Sequence, residues 1–473
     1  MLSSISPIDG RYARITKPLS GFFSESALMK YRIMVEGEYL IALLGNTEVN
    51  AEMKKRGSKR GNKNLSEKEK KLIRSLYDLS DKDAKIISDI ETKGYKQIKA
   101  TDHDVKAVEY YIKDKLAQSS LQGILEWIHF GLTSEDTNKL VYALMLKDGL
   151  GQVIFPAIEK IQIDLESLAK KHARLPMLAR THGQSASPTT FGKEFKVFAE
   201  RLKRQSNNLK IIRLNAKLNG ATGNFNAHAA AFPKLNWIKF SQKFINQLNN
   251  LIRGDLTLNP NLFTTQIEPH DSLVEIFDAL RRINTILIDL NQDIWRYISD
   301  EWIVQNPKAG TIGSSTMPHK VNPIKFENSE GNLGLANALY EFFARKLPIS
   351  RLQRDLSDST VQRNIGAALG HSLIGYQYLL GGLSAITVNE KKVRDDLNAH
   401  PEILAEAIQT VLRREGVKMP YEKLKELTRG KKITLLELHH FIDSLNVSDK
   451  IKKELKKFTA ENYIGLASKL ASL

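Results

Sequence analysis

Hydrophobic positions recur along most of this chain at helical spacing, and the strict alternation that marks strands is scarce. Phe191, Phe195, Phe198, Leu202, Leu209 and Ile212 fall on one face of such a helix. Leu273, Ile276, Leu280, Ile283, Leu287, Leu290 and Ile294 repeat the pattern over a span too long for a small globule, which predicts helices lying side by side in a bundle. A shorter stripe, Val105, Val108, Ile112 and Leu116, leaves Lys106 and Glu109 off its apolar side. Residues 364–389 carry no formal charge and are long enough to span a bilayer. Asn364, His371, Gln377 and the Gly381–Gly382 pair suit hydrocarbon poorly, so this stretch reads as a helix enclosed by protein.

Caps suggest where helices begin. Ser187 followed by Pro188 has the chemistry of an N-cap and first turn, and Asn322 with Pro323 repeats it. Residues 181–185 and 310–320 are then loops aimed at helix N-termini, where free amides and the helix dipole favour a carboxylate or phosphate. After Val388 the helical pieces become shorter and more charged, broken by Pro401, Gly416, Pro420 and Gly430, which marks a separate C-terminal region. The implied division is 1–120, 121–388 and 389–473.

Composition narrows the classes. The 473 residues are 42% hydrophobic and 26% charged, within the range of ordinary globular proteins. The net charge of +17 favours anionic partners. Residues 54–74 hold ten basic and two acidic side chains, so nearly half of that excess is local. No aromatic residue lies in that run to stack on a base, and a solvated surface explains it better than a nucleic-acid patch. The absence of cysteine excludes disulfides, thiolate metal sites and thiol nucleophiles, and fits a reducing compartment. The N-terminus lacks the charged and then apolar pattern of an export signal, so a cytoplasmic location is expected, without a membrane partner.

The segment GTIGSSTMPHKVNP, residues 310–323, is the most unusual in the chain: glycines free one end, prolines restrict the other, and Ser314, Ser315, Thr316, His319, Lys320 and Asn322 lie between. It is neither a phosphate-binding P-loop nor a nucleophile elbow. GSSTMPHKVNP resembles the signature of the fumarase/aspartase superfamily, whose members release fumarate by β-elimination. SPIDGRY, HDVKAVEYYIK, HFGLTSED, RTHGQSASPTTFGKE, TTQIEPHD, SRLQRDLSDSTVQRN and PYEKLKELTRGK narrow the resemblance to its bacterial-type adenylosuccinate lyase family, over essentially the whole chain. That resemblance implies an all-α fold of three regions, with a central long-helix bundle assembling into a homotetramer whose active sites draw on several subunits.

The resemblance also implies roles. Ser314 matches the family base that takes the Cβ proton, which requires a hydroxyl ionised by amides and a cation such as Lys320 in a closed, dry site. Residues 310–323 would then act as a lid. His182 matches the general acid for the leaving nitrogen, and imidazole suits proton transfer near neutrality. His103 matches an assisting histidine, flanked by Asp104 and by Asp102, where relatives often carry Asn or Thr. Arg354, Ser359 and Arg363 match the positions that hold the nucleotide phosphate, with Arg11 and Tyr12 also reaching the nucleotide. Thr133, Ser134, Gln266, Lys320 and Asn322 match donors around the succinyl carboxylates, and Asn328 a further substrate contact. His270 with Asp271 reads as structural, at a helix start. No spacing implies a metal or organic cofactor. The alternatives are a lyase acting on argininosuccinate or aspartate, or a nucleic-acid-binding protein driven by residues 54–74.

Overall fold

The computed structural model describes residues 3–55, 64–252, 254–306, 317, 319–430 and 433–473. Helices α1 (Ala13–Phe23), α2 (Glu25–Leu44), α3 (Asp104–Leu116) and α4 (Ser134–Gly149) open the chain, with shorter helices between them. A hairpin of β1 (Pro176–Thr181) and β2 (Gln184–Thr190) leads into α5 (Phe191–Lys210). Then come β3 (Arg213–Ala216), β4 (Thr257–Pro260), α6 (Asp271–Ser299), β5 (Ile303–Gln305), α7 (Ile324–Lys346), α8 (Ser357–Gln362), α9 (Ile365–Leu383) and β6 (Ile386–Val388), followed by short C-terminal helices. The fold is all-α in class, and among the described residues the strands form two-stranded pairs: β1–β2 and β5–β6 antiparallel, β3–β4 parallel.

Residues Met1–Ile158, Gln205–Thr285 and Asn332–Ile374 form one compact unit, unit 1; Glu159–Arg204, Ile286–Gly331 and Gly375–Leu473 form another, unit 2. In unit 1, α2 packs against α1, α3 and α4. Its core includes Ile33, Leu40, Val108, Ile112 and Leu116, with Tyr39 meeting Phe240 and Phe244 edge-on. In unit 2, Phe191 packs on Phe195 and Tyr297, and Asn291 donates to Ser329 at 2.9 Å.

The helical stripes fold as their spacing predicts. All seven residues of the apolar stripe on α6 are buried, as are Val105, Val108, Ile112 and Leu116 of α3. Glu109, off that stripe, is buried too, because Lys106 and Lys113 pair with it at 2.8 and 3.0 Å. Ile212 lies beyond the end of α5 and is only half-buried. The uncharged stretch forms α9, whose Leu369, Leu373, Ile374, Tyr376 and Leu379 are buried while Gln377 is exposed. A different helical stretch, Ser134–Lys171, is long and apolar enough to cross a membrane, and 72% of its apolar window is buried inside the protein.

The expected helix start at Ser187 is not one. Ser187 and Pro188 lie in β2, and both oppose Leu178 where the β1–β2 register shifts, a bulge that accommodates a proline without an amide donor. The Ser187 hydroxyl donates to Glu406 instead. Thr190 provides the cap of α5, its Oγ1 accepting from the Lys193 amide at 3.2 Å. Residues 181–185 are therefore a hairpin end, not a loop before a helix. The second expected start holds to within a residue: α7 begins at Ile324, directly after Asn322 and Pro323. The predicted lid falls largely outside the described residues, as do Ser314, Ser315 and Thr316 and the middle of the basic run at 54–74. At the end of that run Arg74 forms a two-pronged pair with Glu38.

Candidate active site

Unit 1 gathers many of the candidate binding residues through one chain of hydrogen bonds and ion pairs. It starts where α3 starts. His103 caps the helix, its Nδ1 accepting from the Lys106 amide at 3.3 Å. That bond places the proton of a neutral ring on Nε2, which lies 3.3 Å from the Ser134 hydroxyl. Asp102 precedes it with φ of 48°, a left-handed conformation that a short polar side chain tolerates. Thr133 and Ser134 are set by α4: the Asp136 carboxylate accepts from the Thr133 amide at 3.0 Å and, fully buried, from Lys217 Nζ at 2.8 Å and the Asn219 amide at 2.9 Å.

Asp104 next to His103 receives two arginines, Arg32 at 2.8 Å and Arg363 at 2.5 Å. Burial opposes its charge, but the Arg32 charge and hydrogen bond and then the Arg363 charge hold its pKa below the ordinary value. Arg363 Nη1 also donates to both Glu25 oxygens at 2.7 Å. Arg32 Nε donates to Asn138, whose amide donates at 3.0 Å to Glu135. Glu135 in turn pairs with Arg354 at 3.0 Å. Arg354 reaches Ser359 at 3.2 Å and the Gln266 side-chain oxygen at 3.5 Å, while its Nε is buried without a hydrogen-bond partner. A spare buried donor beside an arginine–serine contact is what an incoming anion would complete.

Beneath this chain lies a second network. His270, buried and with φ of 66°, sits 3.2 Å from Asp358 through Nε2 and 3.4 Å from Lys139 Nζ through Nδ1. Since an ammonium only donates, Nδ1 accepts and Nε2–H points to Asp358, so the ring is neutral; burial and then the Lys139 charge lower its pKa accordingly. Lys139 pairs with buried Glu268 at 2.5 Å. Asp358 adjoins Ser359 and accepts its amide. His270 thus has the structural role its sequence context suggests, by anchoring α8 and not by capping α6 alone.

The other candidates lie elsewhere. Arg11 is exposed, with its guanidinium 5.9 Å from the Tyr12 ring centre, just before α1. In unit 2, His182 and Gly183 form the two-residue turn of the β1–β2 hairpin, with φ of 51° and 73°. A left-handed histidine costs about 1 kcal/mol of backbone strain. The His182 ring is exposed, and so is Lys320. Asn322 and Asn328 are half-buried beside and within the first turns of α7. Nine non-glycine residues among those described have positive φ, and Asp102, His129, His182, His270, Leu352 and Met419 fall in or against the segments that carry the family resemblance.

Comparison with known proteins decides the lineage. A family model described as lyase matches residues 10–337, and one described as adenylosuccinate lyase C-terminal matches 350–464. Adenylosuccinate lyase of Dictyostelium discoideum is 48% identical over 98% of this chain and 97% of its own length. That of Escherichia coli K12 is 45% identical over 98% and 97%. The chain belongs to the adenylosuccinate lyase family. Two crystal structures share its fold at a TM-score of 0.69: 3-carboxy-cis,cis-muconate lactonizing enzyme from Pseudomonas putida, at 18% identity and covering 96% of this chain and 95% of that one, and fumarate lyase from Mesorhizobium sp. BNC1, at 17% and covering 96% of each.

For this adenylosuccinate lyase family member, sequence reasoning missed the groups that tie the candidates together: Glu25, Arg32, Glu135 and Asn138. A signal was present. Arg32, Glu36 and Glu38 stand among the apolar residues of helix α2 and are all buried, as a helix interior rarely tolerates without partners. Glu36 accepts from Thr137 at 2.8 Å and pairs with His129 at 2.7 Å, supporting the turn that leads to Thr133.

Proposed function

We propose that the chain is an adenylosuccinate lyase of purine biosynthesis. It eliminates fumarate from adenylosuccinate, giving AMP, and from the succinylated imidazole carboxamide ribotide (SAICAR), giving its free amide (AICAR). The 45–48% identity to adenylosuccinate lyases over nearly the whole chain carries this reading. The arginine pair with Ser359 supports it: Arg354 and Arg363 suit a substrate bearing a phosphate, which argininosuccinate and aspartate lack.

In the reaction a base removes the Cβ proton, the C–H electron pair becomes the new C=C bond, and the C–N bond breaks as its nitrogen takes a proton. Ser314 is assigned the first task and His182 the second. An exposed imidazole on a two-residue turn is open to the substrate nitrogen it is assigned to serve. Thr133, Ser134, Gln266, Lys320 and Asn322 are assigned to the succinyl carboxylates, where donors and a cation stabilise the charge that develops as the proton leaves. Asn328 is a further contact. His103, with Nε2–H on Ser134, orients that hydroxyl. Arg354, Ser359 and Arg363 hold the phosphate, and Arg11 and Tyr12 the nucleotide. The reading includes a homotetramer with shared active sites, a division at about 120 and 388, small-molecule substrates in place of nucleic acid or membrane, and a cytoplasmic location.

The test is the absorbance change when purified protein meets adenylosuccinate. The reading expects fumarate and AMP in equal amounts, and loss of turnover by orders of magnitude in Ser314→Ala and His182→Ala with assembly retained. Full activity in Ser314→Ala would contradict the assignment of the base.

A further inference from the structure

We infer that Glu25 is a placeholder counterion, a carboxylate that occupies Arg363 when no substrate is bound and must be displaced by the substrate's phosphate. This inference rests on the phosphate reading of Arg363 and adds to it the residue that competes for the site.

The bonded chain of unit 1 contains three arginines, Arg32, Arg354 and Arg363, and three carboxylates, Glu25, Asp104 and Glu135, so its net charge is zero. Asp358, which takes the Ser359 amide, adds another negative charge, while Lys139 and Glu268 cancel. A phosphate dianion entering this cluster unchanged would meet more carboxylates than cations, and repulsion at short range rivals the attraction. One carboxylate has to leave Arg363 or Arg354.

Burial selects which. The Glu135 side chain is 3% exposed and holds both Arg354 and Asn138. Asp104 is 26% exposed and is fixed by Arg32, Arg363 and the Val105 amide. Glu25 is 65% exposed, and Arg363 is its one hydrogen-bond partner among the described residues. Moving a buried carboxylate off its arginine strands a charge in a dry place; moving Glu25 only returns it to water. There is room for the exchange. Glu25 and Arg363 both line a cavity of about 920 Å³ that runs along α1, so the carboxylate can swing out as an anion arrives. Until then, Glu25 and Asp104 together keep the guanidinium extended and its charge intact. Burial works against that charge, and the hydrogen bond and charge of Glu25 outweigh it, leaving the Arg363 pKa above its ordinary value.

The test compares wild type with Glu25→Gln, Glu25→Asp and Arg363→Gln, reading KM for adenylosuccinate and the inhibition constant of inorganic phosphate. Exposed pairs are weak, so Glu25→Gln should tighten phosphate and lower KM by about two- to fivefold. The gain should shrink as salt rises, and Glu25→Asp should restore wild-type values. Arg363→Gln should weaken both by tenfold or more. If Arg363→Gln has that effect but Glu25→Gln leaves both constants unchanged or weaker, the placeholder is overturned and the phosphate reading stands. If Arg363→Gln changes neither, both fall. A wild-type crystal structure with adenylosuccinate bound needs no variant to fold: the inference expects Glu25 turned away from Arg363, and a Glu25–Arg363 pair left intact beside the bound phosphate would overturn it.

Discussion

The candidate residues of unit 1 and the hairpin of unit 2 are built on opposite principles. In unit 1, His103, Ser134, Asp104, Arg363, Arg354, Ser359 and Gln266 are joined through Glu25, Arg32, Asn138 and Glu135, so each side chain is held by at least one other. On the hairpin, His182 stands exposed at a strained turn, with no hydrogen-bond partner for its ring among the described residues. The proposed tasks differ in the same way. A binding surface gains from groups fixed before the ligand comes, while a proton carrier has only to meet the substrate atom it serves. Damage in unit 1 should therefore reach both stability and substrate affinity, and damage at the hairpin turn should reach turnover alone.

The sharpest contrast is expected at His182. His182→Asn keeps a residue that tolerates left-handed φ, so the melting temperature should stay within a degree or two while kcat falls by about 10²- to 10⁴-fold. A matching fall in melting temperature would show that the ring is structural. Next is Asp136→Ala, which leaves the buried Lys217 ammonium uncompensated and frees the Thr133 amide. Urea unfolding should show a loss of about 3–5 kcal/mol. Arg354→Ala combines both effects: it should raise KM about tenfold or more with a smaller change in kcat, and it should also destabilise, since Glu135 keeps only Asn138. A pure KM effect would mean that Arg354 is not part of the fold's own network.

The smallest effect concerns pH. Burial opposes a charge on His129, but the Glu36 charge and hydrogen bond prevail, so its pKa in the folded protein lies above the ordinary value of about 6.5. A raised histidine pKa means the folded state binds the proton more tightly. The stabilisation is complete below about pH 6.5 and disappears as pH climbs through the raised value. Melting curves between pH 6 and 9 should decline in wild type and flatten in His129→Gln.

How much of this could be read from the sequence divides along the same line. The long apolar stripe of α6 was legible because helical spacing and burial coincide at every one of its positions. The hairpin was not, because Ser187 and Pro188 imitate a helix cap, and only the bulge opposite Leu178 reconciles that pair with a strand. Ser314 and Lys320 stood out through family resemblance in one segment, and Arg354 and Arg363 in another. The pairings themselves were invisible for a physical reason: Arg32 meets Asp104 across 72 positions, and Arg363 meets Glu25 across 338, distances at which local pattern carries no pairing information.

Recognition of a phosphate by the unit 1 network is the proposal on which the rest depends. It is tested most directly by comparing kcat/KM for adenylosuccinate with that for the same compound lacking its 5′-phosphate. Two arginine contacts to a dianion predict a loss of about a hundredfold or more, concentrated in KM. Equal kcat/KM for the two compounds would contradict it.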